Sequence, residues 1–300
     1  MAVELPPSGA ITLDENEILA QFDRLVKEGL IFYDQAPMIM PHRDGDLRIE
    51  FKISGALKNK PSIPSDPLGA SSLDNSTSNL KPGSDINVAG FEIQEIGTTH
   101  LLTFNMFNAF RPHFLLLTQD GYRRQFEPLD IDDIKAAHTV ISSLTGDYMV
   151  LYNCGVESGC SRMHKHMQLI PHSEHAFDVW RNIVGKGHQM PYQAFVRTFG
   201  PDLPSIKDLF IAYLELFDQV KKALGRSMSG INEAPPHNVI FDRSGMMVIP
   251  RRSAGLNGAY ANAAGMLGVI WMSNEAKAQQ WIELGPSEIL RTAGVPMIQT

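Results

Sequence analysis

Apolar Ile18, Leu19, Phe22, Leu25 and Val26 recur at three- and four-residue intervals within residues 14–29, the spacing that gathers one face of a helix. Asp14 supplies an acceptor for the first turn and Gly29 a stop. At 47–53 the period changes to two, and LRIEFKI predicts a half-buried strand. Further strands are predicted in HLLTFNMF (100–107), HFLLLT (113–118) and YMVLYNCG (148–155), with a helix starting near Asp130 and running through IDDIKAAHTVISSL. Beyond residue 200, SIKDLFIAYLELFDQVKKALG is a strongly amphipathic helix and HNVIFDRSGMMVIPRR a hairpin turning at Asp242 to Gly245. AAGMLGVIWM is another apolar segment, and SNEAKAQQWIELGPSEILRTAGVP predicts two short helices divided at Gly285-Pro286.

Between these elements, residues 61–90 (PSIPSDPLGASSLDNSTSNLKPGSDINVAG) hold too few large apolar side chains to build a core element. They predict a long mobile loop, either a lid over a site or a tolerated insertion. Strands that neighbour strands, with helices between the groups, point to an α+β fold with an antiparallel sheet and flanking helices. No Pro- or Gly-rich linker divides the chain, so residues 1–300 are expected to form one domain.

Alternation also governs SRMHKHMQLIP (161–171), which puts His164, His166 and Gln168 on one face of a strand and Met163, Lys165, Met167 and Leu169 on the other. Three chemistries compete for the polar face. Two imidazoles in an HxH strand can hold a metal ion if further ligands such as His172, Glu174 or His175 come near. They can be ordinary polar residues on a solvated face, or one can be a nucleophile that its neighbours position. The preceding YNCGVESGCS carries Asn153, Gly155, Ser158, Gly159 and Ser161, small residues that let backbone N–H groups approach an anion. A plain hairpin turn uses the same residues, and composition alone leaves the two readings even.

The 300 residues are 43% hydrophobic and 20% charged, ample for a large core. A net charge of -7 argues against an extended nucleic-acid surface but leaves room for a local cationic pocket. No apolar run is long enough to cross a bilayer and the first residues lack a signal-peptide pattern, so neither membrane nor nucleic-acid polymer is an expected partner and the expected address is the cytoplasm, with the nucleus open. Cys154 and Cys160 form no disulfide framework and are expected to be small buried thiols.

Taken together, YNCGVESGCSRMHKHMQLIP resembles the active-site segment of the fungal diadenosine tetraphosphate phosphorylases, or ATP adenylyltransferases, of the histidine triad superfamily: YN-x-GP-x-SG-x-S, a spacer, then HKHLQ. GALKNKP is similar to the family's SL-x-x-KP segment, HLLTFNMFNAFRPHFLLLT to its LLLNKF and HTLLVT strands, HNVIFDRSGMMVIPRR to its YNVLLTK-x-W-x-x-VVPRS hairpin, and ANAAGMLGVI to its GMILVK segment. The resemblance implies a histidine-triad-like sheet and a two-step nucleotidyl transfer. His166 would attack the α-phosphorus, and inorganic phosphate would take AMP from it, turning diadenosine tetraphosphate into ATP and ADP.

On the same resemblance His164 would orient the nucleophile and Gln168 would hydrogen-bond phosphoryl oxygens. Hydrolase relatives carry a third histidine where Gln168 stands, and an amide is the poorer proton donor, in keeping with transfer to phosphate. Asn153, Gly159, Cys160, Ser161 and Arg162 fall on the substrate loop, Lys60 would add a cation and Asn105 a hydrogen bond. A magnesium ion held mainly through substrate phosphates is expected.

Two family lysines are replaced, by Met106 and Ile270, and the family's NST reads Ala259-Tyr260-Ala261. These departures bear on the leaving group and distal phosphates. They keep open a paralogue acting on adenosine phosphosulfate or another nucleotide conjugate, and a dinucleotide-binding protein without turnover. His113 is expected to support a strand, Arg251 and Arg252 to face phosphate or a solvated turn, and His42, His100, His138 and His188 to be packing or surface groups.

Overall fold

The computed structural model describes residues 11–58, 80–172, 190–200, 202–225 and 234–297. Helix α1 (Glu15–Lys27) begins where expected, with the Asp14 carboxylate accepting from the N–H groups of Asn16 and Glu17. Strands β1 (Met38–Asp44) and β2 (Leu47–Ile53) form a hairpin. After residues 59–79, which lie outside the described part together with most of the expected loop, come β3 (Glu92–Ile96), β4 (His100–Phe104) and β5 (Phe114–Thr118). Helix α2 (Ile131–Ser143) opens with a capping box between Asp130 and Asp133 and leads into β6 (Tyr148–Cys154) and the motif strand β7 (His166–Pro171).

The remaining elements are β8 (Phe195–Thr198), α3 (Ile206–Leu224), β9 (His237–Phe241), β10 (Gly245–Pro250), the short α4 (Ala263–Met266), β11 (Val269–Met272), α5 (Glu275–Leu284) and α6 (Pro286–Ala293). Gly285, with φ +79°, separates the last two helices at the expected place. The β9–β10 turn is tied by Asp242 Oδ1, which accepts from the N–H groups of Ser244 and Gly245.

Among the described residues eight strands form one antiparallel sheet in the order β8-β10-β9-β6-β7-β5-β4-β3. One face buries Leu116, Val150, Met167, Leu169 and Val239 against α1, α2 and α3. The other carries Met149, Leu151, Ile170, Ile240 and Ile249 against a layer built from β11, β2 and the C-terminal helices. The β11–β2 pair is parallel. At the far end of this second face Leu101, Leu115 and Leu117 are covered by Ile86 and Val88 from the segment before β3. His166 and Gln168, registered opposite Leu117 and Leu115, therefore lie between two covered patches of one sheet face.

Candidate active site

The motif strand begins at His166, one turn of the alternation later than the sequence suggests, and its two faces separate as expected. Met167 and Leu169 enter the main core, but so does Lys165, which is 1% exposed. Its Nζ donates to Asp133 Oδ2 at 2.6 Å and to the Pro128 carbonyl at 2.7 Å, and Asp133 Oδ1 in turn meets His100 Nε2 at 3.0 Å. An ion pair thus ties the motif strand, behind His166, to α2, because a buried ammonium requires a partner. His100 belongs to this buried pair and is neither a surface group nor a simple packing group.

On the front, His164 is fully buried and both ring nitrogens are engaged, Nδ1 with Ser84 Oγ at 2.8 Å and Nε2 with Thr118 Oγ1 at 3.0 Å. Thr118 gives its own proton to the Asp120 carbonyl, so it accepts from His164 Nε2–H. His166 Nδ1 lies 2.8 Å from the His164 carbonyl, a bond only an Nδ1–H can make. Among the described residues, one of the four imidazole nitrogens, His166 Nε2, has no hydrogen-bond partner. That arrangement fits a positioned nucleophile and leaves no pair of nitrogens for a shared metal ion.

Burial dominates the electrostatics of His166 and holds its pKa down to about 4. The bond to the His164 carbonyl and the Asp85 carboxylate act in the opposite sense, while His164 and Arg162 add to the lowering. The ring is neutral through the physiological range. Burial also lowers the pKa of His164.

Gln168 shares the front face. Its Oε1 sits 2.9 Å from His113 Nε2, and His113 Nδ1 lies 3.5 Å from Asn105 Nδ2. With Oε1 accepting, the chain Asn105–His113–Gln168 turns the Gln168 amide so that its NH2 is the donating end. His113, expected only to support a strand, is a member of this chain. The amide borders a cleft of about 310 Å³ whose wall also includes Gly159, Phe110, Tyr260, Ile270 and Trp271.

Of the loop residues, Gly159 has φ +81°, and a Cβ there would stand 2.7 Å from the Ala261 carbonyl oxygen. Asn153 points to the same face, but its Oδ1 accepts from Asn238 Nδ2 and from the Ala263 N–H, both at 2.8 Å. It anchors the loop to β9 and α4. Ser161 and Arg162 are half-buried at the loop's end, with Arg162 Nη1 donating to the Ser161 carbonyl at 2.8 Å. Cys160 is buried and its thiol pKa is pushed up to about 12, so it packs and does not ionise near neutrality. Lys60 lies outside the described residues.

Several residues that hold the site escape sequence reasoning. Asp85, in the stretch expected to be loop, accepts from the N–H groups of Met163 at 2.7 Å and His164 at 2.9 Å. Gln125 is buried and its amide brackets the backbone of His166. Arg251 faces neither phosphate nor solvent: it is 1% exposed and donates to Asn238 Oδ1 and to the carbonyls of Ser158, Ser253, Ala261 and Ala293. Burial, with no carboxylate partner among the described residues, lowers its pKa to about 9. These contacts join the two loops that flank the cleft. None of the three sits in a pattern with a local signature, since each bonds to chain dozens of residues away.

Residues 85–179 match the Ap4A phosphorylase N-terminal domain and residues 188–296 the ATP adenylyltransferase C-terminal domain. The chain is 27% identical over 215 residues to diadenosine 5',5'''-P1,P4-tetraphosphate phosphorylase 2 of Saccharomyces cerevisiae, a match covering 61% of this chain and 65% of that protein. It is 24% identical over 241 residues to Protein APA1 of the same yeast, covering 70% and 69%. The crystal structure of yeast Ap4A phosphorylase Apa2 in complex with Ap4A superposes with a TM-score of 0.71 at 20% identity, covering 96% of this chain and 100% of that one. The AMP complex of Apa2 gives 0.70, covering 94% and 96%. The solved relatives share the fold, the two family models together span most of residues 85–296, and the chain belongs to the Ap4A phosphorylase, or ATP adenylyltransferase, family.

Proposed function

We propose that the protein is a nucleotidyltransferase that cleaves diadenosine tetraphosphate with inorganic phosphate to ATP and ADP through AMP carried on His166. The observation that carries this reading is the uncommitted Nε2 of a buried, neutral imidazole whose Nδ1–H is held by the His164 carbonyl. In the first displacement the Nε2 lone pair forms a bond to the α-phosphorus and the bond to the bridging oxygen breaks, releasing ATP. The ring gains positive charge, which the Nδ1–H···O=C bond stabilises. In the second, a phosphate oxygen takes the AMP, the N–P bond breaks, and neutral imidazole returns.

Polyphosphate leaves as a stable anion, so Gln168 need not deliver a proton. Its NH2, oriented by His113, donates to a non-bridging phosphoryl oxygen as charge builds up. Gly159 lines the cleft and brings the loop close to residues 261–262, Ser161 and Arg162 would supply hydroxyl and guanidinium donors at its end, and Lys60 would add a cation. The roles of Asn153, Asn105 and His164 are to hold these groups in place. Near His166 the Asp85 carboxylate accepts from the backbone N–H groups of Met163 and His164. Magnesium, the expected cofactor, would be carried mainly by the substrate's phosphates.

A second reading draws on one wall of the cleft. Ile270, standing where the family has lysine, is buried beside Phe110 and Trp271, whereas Met106 packs against the main core. Fewer cations there favour a substrate with fewer distal phosphates, such as adenosine phosphosulfate or another nucleotide conjugate. Chromatography of nucleotides after incubation with each substrate, magnesium and phosphate tests both. ATP and ADP formed from diadenosine tetraphosphate only with phosphate present, and not by His166→Ala, are the expected result. Binding without product from any of the panel would overturn the enzymatic reading.

A further inference from the structure

We propose that Gln125 is a positioning residue for His166, its amide wedged between β6 and β7 so that the two strands stay apart where the nucleophile sits. The β6–β7 ladder runs from Tyr148 opposite Pro171 to Leu151 opposite Gln168 and stops. Continued in register, it would set Asn153 opposite His166. In an antiparallel ladder such pairs alternate between exchanging both backbone bonds and exchanging none. His166 turns its N–H and C=O toward β6, so the pair with Asn153 would be a bonded one.

Gln125 occupies that place. Its Oε1 accepts from the His166 N–H at 2.8 Å, and its Nε2 donates to the His166 carbonyl and the Asn153 carbonyl, both at 3.0 Å. The three partners fix the amide's orientation, since two carbonyls demand the nitrogen and one N–H the oxygen. The Gln125 main chain continues the stitch, its N–H donating to the Met163 carbonyl at 2.8 Å and its carbonyl accepting from the Gly155 N–H at 3.0 Å. One buried residue therefore grips both stems of the loop that runs from Gly155 to Met163.

Without the wedge the strands would close on each other or leave three buried backbone groups unpaired. Either change moves the His166 main chain relative to the His164 carbonyl, the contact that fixes which ring nitrogen is free. An amide is the one side chain of this reach that satisfies an N–H and two carbonyls at once. The kinetic consequence rests on reading His166 as the nucleophile; the state of its ring can be observed without substrate.

The test compares the full-length protein with Gln125→Leu and the isosteric Gln125→Glu, using two-bond proton–nitrogen spectra of the histidine rings, with His166 assigned from His166→Ala. Wild type is expected to show a single tautomer protonated at Nδ1. Both variants are expected to show mixed or exchange-broadened His166 signals, and kcat with diadenosine tetraphosphate and phosphate is expected to fall by about 100-fold with KM nearly unchanged. Should Gln125→Leu fail to fold cooperatively, Gln125→Glu decides alone, because it keeps the shape while placing an oxygen against two carbonyls. A folded variant with the wild-type ring spectrum and kcat within about threefold would overturn the proposal. If wild type itself turns over none of the substrate, the functional reading fails while the ring spectra still judge the wedge.

Discussion

As the proposed nucleophile, His166 would attack only while Nε2 is unprotonated, and its environment makes that state persist far into acid. Burial holds the ring near a pKa of about 4, against about 6.5 for an ordinary histidine. The gap corresponds to about 3 kcal/mol by which the folded site disfavours imidazolium. At pH 5 about 90% of the rings are then neutral, whereas an unperturbed histidine would be about 3% neutral. Formation of the AMP adduct at that pH therefore differs by about 30-fold between the two cases. Rapid-quench measurement of adduct formation from labelled diadenosine tetraphosphate without phosphate, between pH 4.5 and 8, reads this directly. Diadenosine tetraphosphate has no terminal phosphate, so its phosphates keep their charge across the window. The rate is predicted to stay level from pH 8 to about 5, with tryptophan fluorescence reporting that the protein remains folded. A decline centred near 6.5 in folded protein would refute the assignment of a desolvated, neutral ring.

The same burial has a cost in stability. His166 and His237 are both held at about 4, so between pH 6.5 and 4 the unfolded chain binds more protons than the folded one, and stability is lost as the pH falls through that window. Urea midpoints should decline across it; a midpoint constant from pH 7 to 4.5 would contradict this. Lys165→Met leaves the Asp133 carboxylate buried without its ammonium and should cost about 3–5 kcal/mol in denaturant unfolding. A loss below about 1 kcal/mol would show that the pair is not what holds β7 to α2. Gly159→Ala places a Cβ 2.7 Å from a backbone oxygen at a positive φ and should cost about 2 kcal/mol or more, with adduct formation falling further as the loop leaves residues 261–262. Wild-type stability and rate in that variant would contradict the close approach.

What the sequence reveals is what local pattern encodes. The helix before Lys27 is written in its apolar period and its Asp14 cap, the hairpin in the Asp242 turn, and the motif strand in its alternation. The front-face assignment of His164, His166 and Gln168 follows from the period alone. Lys165 is different: a charge on an apolar face normally signals an exposed edge, and only the arrival of Asp133 from α2 allows it inside. Arg251 is misjudged for the same reason, because its carbonyl partners come from four separate segments. Ser84 and Asp85 lie in a stretch of loop composition, yet they grip the backbone and ring of the motif, a function that needs short polar side chains and no periodicity. Gln125 carries no sequence signal, since its value lies in the gap between two strands that meet only in the fold.

The most direct measurement is the mass of the protein after incubation with diadenosine tetraphosphate and magnesium in the absence of phosphate, followed by peptide mapping. A gain of one AMP on the peptide that contains His166, absent in His166→Ala and discharged to ADP when phosphate is added, is the predicted result. Turnover of the dinucleotide with no adduct on that peptide, or with His166→Ala still active, would contradict a nucleophilic His166.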